Sequence, residues 1–541
     1  MEIPKLKLFW QYPEYWANKD PNFPSVRYAR NIVITAKELD EKSNKLAKAF
    51  LKMGVKKGDV VVTILPTIPE YVLTFIATCK IGGITIPMDK EYKKADFKLL
   101  IPHSNPKIIV TIDKWQKNCI ADNMNDLRGE FGEIQYIIVG KHDLGVSFED
   151  LINREYNLQD ALLNAKKSQD SEDCILVVWT GGTTGAPKAV ELTHRNVIEM
   201  TYIEAQNITK WLEILTEKKI YRTTWLVNLP VSHVGGTLEL LGTGIVNGNE
   251  MILQASWSPW EALKAIKEYN LEFMGGVPTM FKILLSLPDL ERYEPKKYLK
   301  LVFMSGEKTP KEVLDGTKEK ICDKIVIGYG STEAGSEVTF TEPGDDFSKI
   351  ASGYVGKPLP RTDIKIIDQD GKILSPGETG EIVVNGPLTS RSYYKMPEEN
   401  KAGFTRNGYC KTGDLGYLDN EGGLYITGRI KEIIRVGAYT VLPAEIEELV
   451  LPHPKVAIAA ALGAPDDIRG EVIWLVIGPE LGVTFEEEDK NEILDLCQKN
   501  LAKFKVPQKI IIYPLDPNNL PITRIGKVDK VRLKKELIPS P

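Results

Sequence analysis

Cysteine and histidine are scarce, with six and five residues in a chain of 541. The cysteines stand at 79, 119, 174, 322, 410 and 497, far apart and without a CxxC pair. That excludes a disulfide framework and a thiolate zinc site, and it favours free thiols in a reducing, cytoplasmic compartment. The histidines at 103, 142, 194, 233 and 453 show no metal-ligand spacing. Long apolar runs are missing too. The longest apolar region, Val60 to Met88, is broken by Pro66, Pro69, Glu70, Gly82 and Gly83, so no stretch reaches the roughly 20 apolar residues of a membrane span. The first residues, Met1 to Lys7, lack the apolar core of a signal peptide. Charge is not one-sided: 69 lysines and arginines against 74 acidic residues leave a net charge of −5, which provides no broad surface for nucleic acid.

A hydrophobic content of 43% and a charged content of 26% are those of an ordinary soluble protein, and the length implies more than one domain. Residues 31 to 90 alternate strand and helix. Leu39, Leu46, Ala49, Phe50 and Leu51 recur at helical spacing behind a cap at Thr35, and Gly54 ends the pattern. Strands follow at 58–65 and 84–88, with a helix over 69–79 between them, so a parallel sheet covered by helices is expected. A second alternating block, 174 to 350, has strand candidates at 174–179, 226–230, 250–253, 273–277, 300–304 and 324–327. From Gly353 to Gly428 short strands and turns suggest a small antiparallel barrel or sheet. After Ile430 the texture is mixed again, with helices near 443–450 and 489–502 and strands near 456–462 and 471–477. The expected fold is α/β: a large N-terminal domain, 1–430, of parallel helix-covered sheets with a β-barrel-like subdomain at about 353–428, then a small α+β domain, 431–541. Nothing in the sequence sets an oligomeric state.

The most informative stretch is Thr180-Gly-Gly-Thr-Thr-Gly-Ala-Pro-Lys188. Three glycines and three threonines cannot build a core, but their N–H groups and hydroxyls can wrap an anion, with Lys188 as a point charge. The bland alternative is a flexible glycine-rich turn. It is not the nucleoside-triphosphatase loop, because Pro187 precedes the lysine and Ala189 follows it. A second stretch, Gly328-Tyr-Gly-Ser-Thr-Glu333, is expected just past a strand end, where ligands of parallel sheets bind. Tyr329 can stack on an adenine, Thr332 can bond a phosphate oxygen, and Glu333 is a hard oxygen ligand for Mg²⁺. A turn with a capping Ser/Thr and Glu is the competing reading.

The first stretch resembles the signature loop of the adenylate-forming superfamily, which comprises acyl-CoA synthetases, luciferases and adenylation domains of peptide synthetases. That loop usually reads T-S-G-T-T-G-x-P-K-G; here a glycine replaces the serine and Ala189 the last glycine. The resemblance implies nucleotide contacts at Thr180, Gly182, Thr183, Thr184, Gly185 and Lys188, and from the second stretch at Tyr329, Gly330 and Thr332, with Glu333 on the metal. It covers about residues 30 to 530. Thr412-Gly-Asp414 is similar to the element whose aspartate grips the ribose hydroxyls, and Arg429 would be the second ribose and phosphate contact. Gly306 and Glu307 fall where the family has an adenine-lining loop. Pro521-Ile-Thr-Arg-Ile-Gly-Lys527 resembles P-x-T-x-x-G-K, which makes Lys527 the catalytic lysine. His233 falls at the family's gate between acyl pocket and thiol tunnel, or is a packed core histidine. Lys431 matches the hinge, and Gly437 the segment lining the coenzyme A tunnel. In Ser390-Arg-Ser-Tyr393, Ser392 replaces the usual glycine.

The implied activity is an ATP-dependent carboxylic acid–CoA ligase working with ATP, Mg²⁺ and coenzyme A. An acyl-adenylate and pyrophosphate form first, then the thioester and AMP. Its substrate is a small-molecule carboxylic acid, with no nucleic acid and no membrane span involved. Two rivals share the motifs: an adenylation enzyme loading a carrier protein in trans, and a non-catalytic nucleotide-binding protein. Retention of Glu333, Asp414, Arg429 and Lys527 argues against the second.

Overall fold

The computed structural model describes residues 3–29, 31–180, 187–437, 439–466, 468–480, 482–515, 521 and 528–538. Two large sheets make the N-terminal part. One has seven strands, six of them parallel, built around Val60–Ile64, Ile84–Pro87 and Ile108–Ile112, with Cys174–Thr180 and the antiparallel Lys188–Thr193 at one side. The other has nine strands. Its parallel centre runs through Glu250–Leu253, Thr224–Val227, Phe273–Gly276, Leu301–Met304 and Ile325–Ser331. Central strands such as Val60–Ile64 are buried at every position, which is why they read as continuous apolar runs rather than alternating ones.

Helix Pro69–Lys80 lies between the sheets. Ten of its side chains besides Pro69 are buried, and one apolar cluster joins its Ile76 to Val61 of the first sheet and Phe273 of the second. Its last residue, Lys80, is fully buried and pins the preceding helix, Ala36–Lys52. The Lys80 ammonium donates to the Asp40 carboxylate at 2.6 Å and to Ser43 and Asn44 at 2.8 Å each. The Thr35 cap accepts from the Glu38 N–H, and Glu38 returns the bond to the Thr35 N–H, closing a capping box.

The strand expected at 226–230 is Thr224–Val227; it ends short of Pro230, which has no N–H for a ladder. The stretch expected to close as a barrel does not. Asp363–Ile367, Gly380–Asn385, Cys410–Leu418 and Leu424–Arg429 form an open antiparallel sheet whose end strands are unpaired with one another. The C-terminal part is a five-stranded sheet with its own apolar clusters, led by the long hairpin Val456–Asp466 and Gly470–Pro479. Among the described residues no helix is long and apolar enough to cross a membrane.

The N-terminal segment is fastened by a buried histidine. His194 Nδ1 accepts the Phe9 N–H at 2.9 Å, and its Nε2–H donates to Gln169 Oε1 at 3.0 Å. Burial drives its pKa down to about 3, so the folded state holds it neutral while the unfolded chain protonates it near 6.5. Its contribution is complete above the unfolded value and is lost as pH falls from there toward 3. The urea midpoint should therefore fall more steeply between pH 6.5 and 4.5 in the native protein than in His194→Gln; parallel slopes would show that His194 is not the group responsible.

Candidate active site

The glycine- and threonine-rich stretch is the connection of a hairpin. Thr180 and Lys188 are cross-strand partners, and Thr180 Oγ1 donates to the Lys188 carbonyl at 3.3 Å. Gly182, Thr183, Thr184 and Gly185 lie outside the described residues, so only the two posts of the loop are seen. Lys188 leaves the hairpin over an aromatic face, with its ammonium 4.7 Å from the centroid of the Tyr393 ring, which is cation–π distance. The Tyr393 hydroxyl donates to Glu333 Oε1 at 3.3 Å. Buried Cys410 is near enough to Glu333 and Lys188 to feel both charges, and desolvation holds its thiol well above the usual range. Lys188, Tyr393 and Glu333 thus form one group drawn from three distant parts of the chain.

Tyr393 is the residue that sequence reasoning missed. Its neighbourhood, Ser390 to Tyr393, was legible only as a departure at Ser392. That segment pairs with the strand leaving the loop: Val190 bridges Tyr393, the Glu191 N–H donates to Ser392 O at 3.1 Å, and the Ser392 hydroxyl donates to the Glu191 carboxylate. The serine adds a bond that holds Tyr393 in register.

Gly328-Tyr-Gly-Ser331 is not a loop past a strand, as the sequence suggests, but the second half of the strand Ile325–Ser331. It turns into an antiparallel pairing with Ser336–Phe340 in which Gly330 faces Glu337. The glycines make this possible. A Cβ on Gly330 would stand 1.7 Å from the Ser336 carbonyl oxygen, so no other residue fits that approach. Thr332 and Glu333 occupy the turn, where Ala334 N–H donates to Ser331 Oγ at 3.1 Å and Ser390 N–H to Glu333 O at 3.1 Å.

Tyr329 begins a second group. Its hydroxyl donates to Asp414 Oδ2 at 2.9 Å, and Asp414 Oδ1 meets Arg429 Nε at 2.8 Å. Asp414 and Arg429 are opposite one another in the open four-stranded sheet. Burial and the Asp414 carboxylate push the Tyr329 phenol well above its ordinary value, so it stays a donor; Asp414 in turn raises the Arg429 guanidinium. A carboxylate so held offers its remaining lone pairs to neighbouring hydroxyls, the chemistry a ribose diol requires.

Gly306 adopts φ +88° past the strand Leu301–Met304. Glu307 is committed to the fold: its Oε1 accepts the Thr279 N–H at 2.9 Å and the Thr279 hydroxyl at 2.6 Å. His233 is half-buried and opens the wide helical segment Gly235–Gly242, accepting the Thr237 N–H at 2.9 Å through its carbonyl. Lys431 is exposed in the turn Ile430–Glu432. Gly437, at φ +61°, caps the hairpin of Ile434–Val436 and Tyr439–Val441 beside a cavity of about 300 Å³ lined by Val436, Arg469, Lys503 and Phe504. The Gly437 N–H donates to Arg469 O at 2.7 Å, within the C-terminal part. Lys527 lies outside the described residues; Lys530, beyond it, pairs with Glu432 at 2.8 Å, close to Arg429 in sequence. No trio of His, Cys, Asp or Glu among the described residues could hold a metal ion. A Mg²⁺ ion needs only one or two carboxylates when phosphate oxygens and water complete its shell, and Glu333, facing Lys188 across Tyr393, suits that.

The family model described as AMP-binding enzyme matches residues 13–394, and the AMP-binding enzyme C-terminal domain matches 445–527. The chain is 30% identical to a long-chain-fatty-acid–CoA ligase of Bacillus subtilis, over 90% of this chain and 87% of that one. It is 31% identical to a probable CoA ligase of Humulus lupulus, over 92% and 90%. The solved o-succinylbenzoate CoA synthetase of Bacillus subtilis, in complex with ATP and magnesium ion, superposes with a TM-score of 0.79 at 26% identity, covering 97% of this chain and 99% of that one. The chain belongs to the AMP-binding enzyme family, the adenylate-forming superfamily of acyl-CoA synthetases.

Proposed function

We infer that this chain is an ATP-dependent carboxylic acid–CoA ligase that works through an acyl-adenylate. The observation that carries the reading is the Tyr329–Asp414–Arg429 chain standing beside the Lys188–Tyr393–Glu333 group. The first suits a ribose and the second a polyphosphate. A free carboxylate is a poor electrophile. Attack of its oxygen on the α-phosphorus expels pyrophosphate and installs AMP as leaving group, and a thiolate then displaces AMP at the acyl carbon. The reactants of the first step are all anions, so the protein must supply positive charge where negative charge gathers. Lys188 does this on the phosphate side and Lys527 at the α-phosphate and carboxylate. Mg²⁺, held by Glu333 and the phosphates, would neutralise charge on the triphosphate. Thr180 and Thr332 bond phosphate oxygens, Tyr329 covers the adenine, Gly306 and Glu307 shape its loop, and His233 stands between acyl pocket and thiol path. Six free cysteines, two of them at least partly accessible, suit a reducing cytoplasm.

The direct test is pyrophosphate exchange into ATP over a panel of carboxylic acids, followed by thioester formation with free coenzyme A. Exchange without transfer to coenzyme A would favour a carrier protein as acceptor. Lys527→Ala should lower exchange on the order of 10²-fold yet leave conversion of supplied acyl-adenylate to thioester intact. Equal loss in both half-reactions would mean the substitution disrupts the fold instead. Glu333→Gln should raise the Mg²⁺ concentration needed for half-maximal exchange; an unchanged requirement would reduce Glu333 to a hydrogen-bond partner of Tyr393.

We further propose that the chain divides at Lys431 and that the C-terminal part turns as a body between the half-reactions. Lys527 is needed in the first and the Gly437 hairpin in the second, and one rigid placement cannot satisfy both. Lys431→Pro fixes φ near −65° and should slow thioester formation far more than adenylation. If neither step slows, the pivot is elsewhere.

A further inference from the structure

Three glutamates meet in the core between the His233 segment and the strand that carries Tyr329, and none belongs to the Lys188 or Tyr329 groups. Glu204 comes from the helix His194–Thr216, Glu239 from Gly235–Gly242, and Glu337 from the strand Ser336–Phe340. They are 1%, 6% and 3% exposed. Ser336 Oγ donates to Glu239 Oε1 at 2.5 Å and Thr243 Oγ1 to Glu204 Oε2 at 2.8 Å. Glu239, Glu337 and Ser305 are close neighbours. Burial, with the neighbouring carboxyls adding to it for Glu204 and Glu337, raises all three above the usual carboxylate range. None of the three forms an ion pair with a described lysine or arginine.

Two oxygens of the cluster have no partner: Glu337 Oε2 and Glu204 Oε1 are buried without a hydrogen bond, which a finished core seldom tolerates. Glu337 Oε2 points at the motif strand: a Cβ on Gly328 would stand 2.8 Å from it and 2.5 Å from Phe303 Cζ. Glu239 Oε2 lies 3.6 Å from where a Cβ would stand on half-buried Gly235, close behind His233. The pair is thus between the His233 segment and the backbone next to Tyr329. Asn228 Oδ1, at the end of the neighbouring strand Thr224–Val227, is a further buried acceptor without a donor, while its Nδ2 is spent on Gly275 O at 3.1 Å. The neighbouring side chains Phe303 and Leu240 are apolar and buried.

We propose that the acid this enzyme activates carries a basic nitrogen, an ammonium or protonated heterocycle, at the end remote from the reacting carboxylate, and that Glu337 and Glu239 receive it. The inference rests on the ligase reading above. An ammonium brings three N–H donors and a positive charge to a site with spare acceptors and no cation of its own. An uncharged alkyl end brings neither, and an anionic end brings only further acceptors.

The test is calorimetric binding of acyl-sulfamoyl-adenosines to the full chain, with ω-ammonium and methyl-terminated analogues compared at each of a graded set of chain lengths. At the best length the ammonium analogue should bind about tenfold tighter or more. Glu337→Gln should erase that preference while leaving the methyl analogue's affinity unchanged, which also shows that the variant folds. The kcat/KM values for the free acids in pyrophosphate exchange should move the same way. The proposal is overturned if the methyl analogue binds as tightly at every length, or if Glu337→Gln weakens both series alike, as a purely structural role would. Turnover of uncharged acids with no discrimination overturns this inference and leaves the ligase reading intact. Failure of both analogues to bind, with no exchange on any acid, overturns the ligase reading and this inference with it.

Discussion

The contact on which the site depends is the one between Asp414 and Arg429. Asp414 is 3% exposed, and a carboxylate taken that far out of water costs several kcal/mol unless charge and hydrogen bonds replace the lost hydration. Arg429 supplies the charge from the opposite strand, and Tyr329 supplies a hydrogen bond from another sheet. Of these two bonds, the one from Tyr329 also ties the open four-stranded sheet to the nine-stranded one. Arg429 is the last residue of its strand, and the turn Ile430–Glu432 leads from it to the C-terminal sheet. The ion pair is therefore where the last elements of the chain take their bearing from the nucleotide side.

Close backbone approach is the second constraint. The strand Ile325–Ser331 can leave its parallel neighbour and enter an antiparallel pairing only because Gly330 has no side chain to meet the Ser336 carbonyl. Gly335 is held as tightly, since a Cβ there would be 1.9 Å from Leu388 O. Those two approaches fix the turn that carries Thr332 and Glu333, and they bring the 386–394 segment beside it, with Tyr393 between Lys188 and Glu333. A cation and a carboxylate held apart by an aromatic ring keep their charges available to a ligand instead of cancelling one another.

The buried glutamate cluster is built differently. Its carboxyls are held by hydroxyls, with no described basic residue, so their acceptors stay in excess. The relatives named above act on acids as unlike as a long-chain fatty acid and o-succinylbenzoate. On the proposal made above, Glu239 and Glu337 are among the side chains that choose the acid.

Much of this could be read from the sequence, because the physics involved is local. Period and capping marked the helix behind Thr35, and continuous apolar runs marked the buried strands, while the anion-binding loop expected before Lys188 lies largely outside the described residues. Tyr329, Asp414 and Arg429 could each be named from short motifs. What the sequence could not yield were relations between distant segments. That Tyr329 spends its hydroxyl on Asp414, that Gly328-Tyr-Gly-Ser331 continues a strand, and that the 353–428 sheet stays open follow from pairings across the fold. Tyr393 and the Glu204–Glu239–Glu337 cluster left no local signal, because a tyrosine or a glutamate in one segment looks like any other. Their chemistry arises from burial and from neighbours 39 to 205 residues away, and only the folded chain brings those together.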